Sequence, residues 1–377
     1  MSGIYIHIPF CKQACHYCDF HFSTSMAKKD AMIAALKQEL VLRKDEFKGD
    51  TIATIYFGGG TPSVLTTTEI NDLIATVYSN YKVIENPEIT LEANPDDLSQ
   101  GKILELSQSS INRLSIGVQS FFEEDLKMMN RAHSAKEAEQ SIGEATKYFD
   151  NISIDLIYGI PGMSDARWRQ NIQKALSFGI PHISSYALTV EPKTALATFI
   201  KKGLIKPLDD ELAQIHFQTL YDVLTKAGFD CYEVSNFGKP EFYSKNNTAY
   251  WLGEKYMGIG PSAHSYDGKN RSWNIANNPK YLKAIGEGEL PNTSELLSLT
   301  DKYNEYVMTG LRTIWGVSLD RIRSGFGEKY YVYITRQMEK YLEQELLVVT
   351  YGHLIATKKG KFLVDGIASD LFMINLG

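Results

Sequence analysis

Short runs of β-branched residues alternate with longer helical patterns over the first two-thirds of the chain, and this alternation restricts the fold more than any other feature. The runs that predict strands are residues 4–8, 51–57, 88–92, 113–117, 152–158 and 182–188. The stretches that predict helices between them include residues 27–44, 66–78, 135–149 and 165–178. Such alternation is typical of right-handed βαβ units in an α/β fold with a parallel sheet. Six strands are too few for a closed eight-stranded barrel, so the sequence predicts a partial (β/α)6 barrel.

The pattern changes after residue 237, and we expect three parts: a barrel over 1–237, an irregular connecting and ligand-contacting segment over 238–292, and an accessory domain over 293–377. The middle segment is rich in Gly, Asn, Pro and aromatic residues and shows little periodicity. Helical patterns return at 301–314, 319–326 and 331–344, and short strand patterns follow at 347–350, 354–357 and 362–364. Helices that end in a small hairpin predict a helical, winged-helix-like accessory domain.

Charge and hydropathy argue against two classes of protein, those that bind nucleic acids and those that span membranes. The formal net charge is −6 over 377 residues, which argues against a nucleic-acid partner. No run reaches the roughly 18 apolar residues of a membrane span, and the N-terminal residues do not resemble a signal peptide. We therefore expect a cytoplasmic protein, in a compartment where thiols stay reduced.

Three of the four cysteines fall in one loop directly after the first predicted strand. Cys11, Cys15 and Cys18 form a C-x3-C-x2-C pattern, whereas Cys231 is distant and has the character of a small buried apolar residue. A structural zinc site would need a fourth ligand, for which His16 or His21 is the available alternative. A cubane 4Fe–4S cluster held by three thiolates would instead keep one iron open for a small molecule. We favour the cluster.

Recurrent motifs show a family resemblance. The cysteine loop, with Tyr17 before its last cysteine, resembles the radical S-adenosylmethionine (SAM) superfamily. The string from Tyr5 to Cys11 resembles the coproporphyrinogen oxidase-like (HemN) branch, and Cys15 to Phe20 is most similar to the HemW heme chaperones within it. Further matching strings are Gly58-Gly59-Gly60-Thr61-Pro62-Ser63, Glu92-Ala93-Asn94-Pro95, Gly117-Val118-Gln119-Ser120-Phe121, Asp155-Leu156-Ile157-Tyr158-Gly159 and Gly258-Ile259-Gly260-Pro261-Ser262-Ala263-His264-Ser265.

This resemblance implies a bound 4Fe–4S cluster and SAM, whose reductive cleavage yields a 5′-deoxyadenosyl radical. The residues that it places around SAM are Tyr5, Tyr17, Gly59, Gly60, Thr61, Glu92, Gln119, Arg131 and Asp155. The glycine turn would receive the amino and carboxylate end of SAM, and Arg131, in the helix after the fourth strand, would bind the carboxylate through its guanidinium. Glu92 would accept from the amino group or ribose, and Asp155 would bind the ribose.

The resemblance leaves two functions open. One is a heme chaperone that passes heme to an acceptor, expected to be a membrane respiratory protein, with an electron donor that serves the cluster. The alternative is an oxygen-independent coproporphyrinogen III oxidase, which converts propionates to vinyl groups. The oxidases carry a further cysteine two residues after the third, where this chain has Phe20, and a long extension before the first strand. Both features favour the chaperone. A third hypothesis, which the sequence favours less, is a binding module that holds the cluster but does not cleave SAM.

The heme chaperones of this family carry a His-Asn-x-x-Tyr-Trp motif that is linked to heme binding. Here Asn246 occupies the position of the histidine, whereas Asn247, Tyr250 and Trp251 match. An amide is a poor iron ligand compared with imidazole. We therefore predict heme contacts from Asn247, Tyr250 and Trp251, with His264 as an alternative source of an imidazole. Packing among these aromatic residues would explain the same pattern.

Overall fold

The computed structural model describes residues 2–374. Its central feature is a row of six parallel strands that follow one another in chain order and pair side by side. These are β1 (Ser2–Ile8), β2 (Ile52–Gly59), β3 (Val83–Ala93), β4 (Arg113–Gln119), β5 (Ile152–Tyr158) and β6 (His182–Ala187). The predicted partial (β/α)6 barrel is confirmed, and β3 begins five residues before its predicted start because its pairing extends past the buried part of the strand.

In the described part of the chain, eight α-helices lie in the connections after these strands. They are α1 (Lys29–Leu42), α2 (Thr67–Asn80), α3 (Gln100–Ser107), α4 (Glu123–Met128), α5 (Ala135–Ala145), α6 (Asp165–Ser177), α7 (Ala195–Lys201) and α8 (Asp210–Lys226). One of them, α7, contacts the cysteine loop through Leu196 and Phe199. Capping boxes at Thr66 and Ser134 begin α2 and α5, since each hydroxyl accepts from a backbone N–H that the first turn leaves free. Among the helices within residues 2–374, none is long and apolar enough to cross a membrane.

The middle segment is more regular than predicted. It follows β7 (Asp230–Glu233) and β8 (Asn236–Gly238) and contains α9 (Lys245–Trp251), β9 (Lys255–Ile259), β10 (His264–Tyr266), β11 (Asn270–Asn274), α10 (Asn278–Gly286) and β12 (Asn292–Leu296). The expectation of an irregular segment was wrong because β9, β10 and β11 are only three to five residues long and their burial does not alternate regularly, so no apolar pattern marks them. The large sheet of the described residues runs β12-β11-β10-β9-β1-β2-β3-β4-β5-β6-β8-β7.

The accessory domain has its own apolar core and a small sheet. Its elements are α11 (Leu299–Leu311), β13 (Val317–Ser318), α12 (Leu319–Arg321), α13 (Glu328–Glu343), β14 (Leu347–Thr350), β15 (His353–Ala356), α14 (Lys358–Lys361) and α15 (Val364–Asp370). A π-helical turn over Ile322–Phe326 continues α12. The prediction of a strand at 362–364 was wrong: the Thr357 hydroxyl caps α14, and β13 is the third strand of the sheet.

A single buried carboxylate joins the accessory domain to the edge of the large sheet. Glu233 of β7 is fully buried, and its Oε1 accepts from Nη2 of Arg312 at 2.7 Å and from its Nε at 3.0 Å. Glu233 also forms an antiparallel bridge with Thr313, which follows α11. The domain therefore contacts the β7 end of the sheet through Glu233, and it contacts the opposite end through the ion pair of Arg271 in β11 with Glu305 in α11.

Candidate functional site

A cavity of about 750 Å³ opens at the carboxyl ends of the parallel strands. We call it the main cavity. The sequence-predicted residues that line it are Cys11, Cys15, Tyr17, Cys18, Gly59, Gly60, Thr61, Glu92, Gln119, Arg131 and Asp155. These residues come from β1 to β5 and the connections after them, so the barrel brings distant parts of the chain to one side of the sheet. Tyr5 is the only member of the predicted SAM set that does not line this cavity in the described residues.

The cysteine loop is held by backbone contacts from the connection between α4 and α5. His16 donates its N–H to the Met129 carbonyl at 3.0 Å, and the Asn130 side chain donates to the Ala14 carbonyl at 2.7 Å. Gln13 donates from its side chain to the Asn130 carbonyl at 2.9 Å. Gln13 and Ala14 lie between the first and second cysteines and His16 lies between the second and third, so these contacts support the loop on both sides of Cys15.

The glycine turn after β2 packs directly against the start of the cysteine loop. Gly60 donates its N–H to the Ile8 carbonyl at 2.9 Å, and Thr61 donates to the Phe10 carbonyl at 2.7 Å. The Thr61 hydroxyl lies 3.3 Å from Sγ of Cys11. Gly59 has φ +106°, and a Cβ on it would lie 2.4 Å from Nδ1 of His7, so only glycine fits. The turn therefore fixes the position of the first cysteine.

The three thiols line one cavity, and Cys11 and Cys15 both act electrostatically on the pKa of Cys18, so the thiols are neighbours. Three thiolates suit a cubane that keeps one iron open, whereas a structural zinc site needs a fourth ligand. Both histidines considered for zinc have other partners, because His16 contacts the Met128 carbonyl and His21 contacts Asn278.

Arg131 connects the cysteine loop to the strand ends. It lies in the connection after α4, not within a helix as predicted. Its Nη2 donates to Oδ1 of Asn94 at 2.8 Å and to the Gly117 carbonyl at 2.7 Å, and its Nη1 lies 3.3 Å from Sγ of Cys15. Its Nε is buried without a partner in the described residues. The guanidinium thus presents positive charge beside the second cysteine.

Two partly buried carboxyl groups, those of Glu92 and Asp155, line the main cavity within electrostatic reach of each other. Burial raises the pKa of Glu92 to about 7, where the hydrogen bond from Tyr56 at 2.7 Å opposes the shift and Asp155 adds to it. Burial likewise raises the pKa of Asp155 to about 6, and Ser184, Arg113 and Arg131 oppose that shift. Protons therefore leave these groups near neutral pH, and a cationic ligand would favour the ionised forms.

Gln119 ends β4 in an unusual backbone conformation. Its φ is +67°, a value rare for a residue other than glycine, and its side chain is buried. Strained conformations of this kind cluster at functional sites. The backbone therefore adopts a strained conformation at a residue that lines the main cavity.

SAM binding to the cluster-loaded protein is expected to weaken about tenfold between pH 8 and pH 6. With a pKa near 7, Glu92 is mostly ionised at pH 8 and mostly neutral at pH 6, and SAM carries positive charge. Anaerobic calorimetry across this range measures the effect. The Glu92→Gln variant retains any titration of the SAM amine itself and should show a flatter profile. An equal pH dependence in both proteins would contradict the assignment of Glu92.

A second cavity, of about 460 Å³, adjoins the main one. It is lined by Tyr5, His7, His21, Tyr250, Tyr256 and His264, together with Glu92, Gly59, Asp19 and Phe20, which line both cavities. The ring of Tyr5 stacks on that of Tyr56, the partner of Glu92, with centroids 5.9 Å apart. Phe20, where the oxidases carry a cysteine, is 68% exposed between the two cavities.

The predicted heme contacts are divided between different places. Tyr250 and His264 line the second cavity. Trp251 lies under the guanidinium of Arg312, whose carbon is 5.0 Å from the indole centre, and Asn247 donates its N–H to the hydroxyl of Ser244 at the start of α9. Asn246 is buried and accepts from the Thr54 hydroxyl at 3.1 Å. The side chain at position 246 thus contacts β2 near the amino end of that strand, opposite the end at which the main cavity opens.

Several residues of the main cavity were not singled out from the sequence. Asn94, which holds Arg131, stands in a motif that had been quoted without a role for this residue. Ser115, Tyr186, Arg312 and Lys361 also line the cavity. No local pattern marks Arg312 and Lys361, because they reach the cavity only through the attachment of the accessory domain.

Comparisons with known proteins agree with this arrangement. Residues 5–175 match the family model described as the radical SAM superfamily, and residues 297–363 match the HemN C-terminal domain. A protein named heme chaperone HemW from Lactococcus lactis is 34% identical over 97% of this chain and 98% of its own length. Another of that name from Bacillus subtilis is 33% identical over 96% and 97%. The solved coproporphyrinogen III oxidase (HemN) from Escherichia coli shares the fold, with a TM-score of 0.85, 22% identity and coverage of 99% of this chain and 90% of that one.

Proposed function

Because this chain belongs to the HemW family of radical SAM proteins, we propose that it is a cytoplasmic heme chaperone that holds a 4Fe–4S cluster and SAM and delivers heme to an acceptor protein. The observation that carries the proposal is the alignment of the whole chain, accessory domain included, with proteins named as heme chaperones. A membrane respiratory protein is the acceptor that we propose, and a reductant of low potential is the electron donor.

The chain's own residues would hold the cluster and SAM in the main cavity. Cys11, Cys15 and Cys18 would each bind one iron as thiolates, which requires proton release because burial raises the pKa of Cys18 to about 11. When bound, the cluster supplies the electron that cleaves SAM. Arg131 would bind the SAM carboxylate through its guanidinium. The cavity walls would exclude water from this region.

The two carboxyl groups of the cavity would orient the cationic end and the sugar of SAM. Glu92 would accept from the amino group or a ribose hydroxyl, since a carboxylate has about four acceptor positions and Tyr56 and the Gly59 backbone occupy only part of them. Asp155 would accept from the ribose. Gly59, Gly60 and Thr61 would line the amino and carboxylate end, and a side chain on either glycine would displace this turn because its Cβ would collide with the His7 ring or with the Ile8 and Phe10 backbone. Tyr17 and Gln119 complete the proposed SAM set in this cavity, and Tyr5 would act from the second cavity.

Coproporphyrinogen oxidation is the alternative activity, and Phe20 argues against it because the oxidases carry a cysteine there. Reduced protein with SAM and coproporphyrinogen is the direct test of the alternative. Repeated formation of vinyl groups would replace the chaperone assignment with the oxidase.

The second cavity is our proposal for the heme site. Tyr250 and Tyr256 supply aromatic surface with ring centroids 4.3 Å apart, and the exposed imidazole of His264 stands at the rim beside Trp273. Imidazole is a common axial ligand of heme iron. We keep Tyr250 and His264 as heme contacts, whereas Trp251 and Asn247 would act only from the other side of α9.

Replacing His264 with alanine is expected to weaken heme binding about tenfold or more and to shift the Soret band, because the proposed axial ligand is lost. Tyr250→Ala should weaken binding through loss of aromatic contact. The matched control is His353→Ala, whose ring contacts the Trp315 carbonyl in the accessory domain. If heme titrations of His264→Ala and Tyr250→Ala both match the unsubstituted protein, heme does not bind here.

The function itself is tested by following heme. Anaerobic protein loaded with cluster, SAM and heme is mixed with a membrane fraction, and the heme content of both is measured with time. We expect heme to leave the protein and appear in a membrane hemoprotein. Heme that binds but never transfers would contradict the chaperone function.

A further inference from the structure

A tight turn between β9 and β10 carries His264 to the rim of the second cavity. We call residues 260–263 the rim turn. Gly260 has φ +106°, and a Cβ on it would lie 2.7 Å from the His7 carbonyl oxygen. Ser262 has φ +64°, a value that is uncommon for a residue other than glycine. Such a conformation persists only when the surrounding structure supports it.

A fully buried carboxylate lies against this turn. Glu39, on the buried face of α1, accepts from the Gly260 N–H at 2.8 Å and from the Tyr281 hydroxyl of α10 at 2.5 Å. It also accepts from the Asn274 side chain at 2.7 Å. Asn274 in turn donates to the carbonyls of Gly260 at 2.8 Å and Ala263 at 2.9 Å. Glu39 therefore supports the rim turn directly at its start and through Asn274 at its end.

The guanidinium of Arg43 supplies the opposite charge. Arg43 directly follows α1 and is only 3% exposed. Its Nη1 donates to Glu39 at 3.2 Å and to the Gly258 carbonyl at 2.7 Å, and its Nη2 donates to the Ser265 hydroxyl at 3.2 Å. That hydroxyl also accepts from the Gly258 N–H at 2.9 Å, and the more exposed Glu46 pairs with the same guanidinium. The ion pair thus contacts both strands that the rim turn joins.

The ion pair is not needed to fill the core. A buried ion pair adds little net stability, because the cost of removing both charges from water offsets most of their attraction. Every other buried residue of α1 is apolar, so an apolar side chain at position 39 would continue the core. The charged groups supply direction instead, since each hydrogen bond restricts a distance and an angle. The atoms that they restrict belong to the rim turn and its two strands.

We propose that Glu39 and Arg43 are positioning residues for His264, and that they fix the rim turn so that its imidazole faces heme in the second cavity. The role in heme binding rests on the proposed function. Among the described residues that line this cavity, neither Glu39 nor Arg43 is present, so both would act through the turn. The His264 ring stacks on that of Trp273 with centroids 6.0 Å apart, and the two residues pair across β10 and β11, which the network supports.

The first test measures heme affinity of the full-length protein. Glu39→Gln keeps the size of the side chain and removes its charge. We expect it to weaken heme binding about tenfold, because a displaced axial ligand binds iron poorly. Adding Glu39→Gln to His264→Ala should cause no further loss, since the two residues act as one unit. The matched control is Asp125→Asn in α4, a buried carboxylate paired with Arg167, which should bind heme normally.

The second test needs no heme. In protein labelled with carbon-13 in its histidine rings, the His264 resonance is identified by its absence from His264→Ala. The ring of Trp273 displaces this resonance, so its position reports how the two rings are stacked. We expect it to move in Glu39→Gln and to stay in place in Asp125→Asn. An unchanged His353 resonance, from the accessory domain, shows that each variant is folded.

The outcomes separate this inference from the proposed heme site. A His264 resonance that stays in place in Glu39→Gln overturns the inference, and so does a further loss of heme affinity in the double variant. If the resonance moves but His264→Ala binds heme normally, His264 is positioned as proposed and the heme site is wrong. Should Glu39→Gln not fold, Asn274→Ser keeps the ion pair and removes the side-chain contact to the Gly260 carbonyl. The same resonance must then move in that variant.

Discussion

The Cys15→Ser variant is expected to contain only trace iron after anaerobic reconstitution, in place of about four irons per chain, and to lose SAM cleavage completely. Serine is a much weaker ligand for cluster iron than a thiolate. Two remaining thiols leave half of a cubane without protein ligands. Cys15 also lies 3.3 Å from the Arg131 guanidinium, so its sulfur sits next to the proposed SAM carboxylate site. Iron and sulfide analysis with the visible absorption spectrum measures the loss.

Cys231→Ser is the matched control. Cys231 is buried and, unlike the three cysteines of the loop, does not line the main cavity, so it would not join a cluster there. This variant should load as much iron as the unsubstituted protein. Full cluster absorbance in Cys15→Ser, or its disappearance in Cys231→Ser, would mean that the ligands have been assigned to the wrong cysteines.

Replacing Gly60 with alanine is expected to destabilise the protein by about 3 kcal/mol and to reduce cluster loading strongly. A Cβ at this position would lie 2.6 Å from the Phe10 carbonyl oxygen and 2.7 Å from that of Ile8. These are backbone atoms, so no side chain can rotate away, and the glycine turn must separate from the cysteine loop. Denaturant unfolding and iron content, measured on the same preparation, report both effects.

Gly101→Ala provides the comparison. Gly101 is an exposed residue of α3, and a Cβ on it would meet nothing within 4 Å. Alanine there should stabilise the helix by about 0.5–1 kcal/mol and leave iron loading unchanged. A Gly60→Ala protein that unfolds and loads iron as the Gly101→Ala protein does would show that the turn does not position the cysteines.

The barrel was predictable from the sequence because its strands are buried on both faces. Parallel strands of this kind are continuous β-branched runs, as in β5, where prediction and structure agree at both ends. The family resemblance supplied the candidate SAM set, and the topology explains why its members other than Tyr5 line one cavity. Residues that follow successive parallel strands are brought to the same edge, so a list of strand ends is also a list of neighbours.

The remaining features depend on contacts that no local pattern records. The strands of the middle segment are short and their burial does not alternate, so pairing rather than an apolar pattern defines them. Lys361 and Arg312 are remote in sequence from the barrel residues that they face. The residues of the heme motif do not line one common surface, because helical geometry directs the side chains of Tyr250 and Trp251 to different sides of α9.

The shared carboxylate at the sheet edge has a consequence for the diversification of such proteins. Glu233 accepts hydrogen bonds from Ser235 and Asn236 through one oxygen and from Arg312 through the other. Replacing either Glu233 or Arg312 alone would leave the other charged group in the interior without its ion-pair partner. Natural variation in what the cleft accepts should therefore be concentrated at positions such as 217, 361 and 364, whose side chains project from this junction. Redesign of ligand preference can begin at those positions while the junction is kept intact.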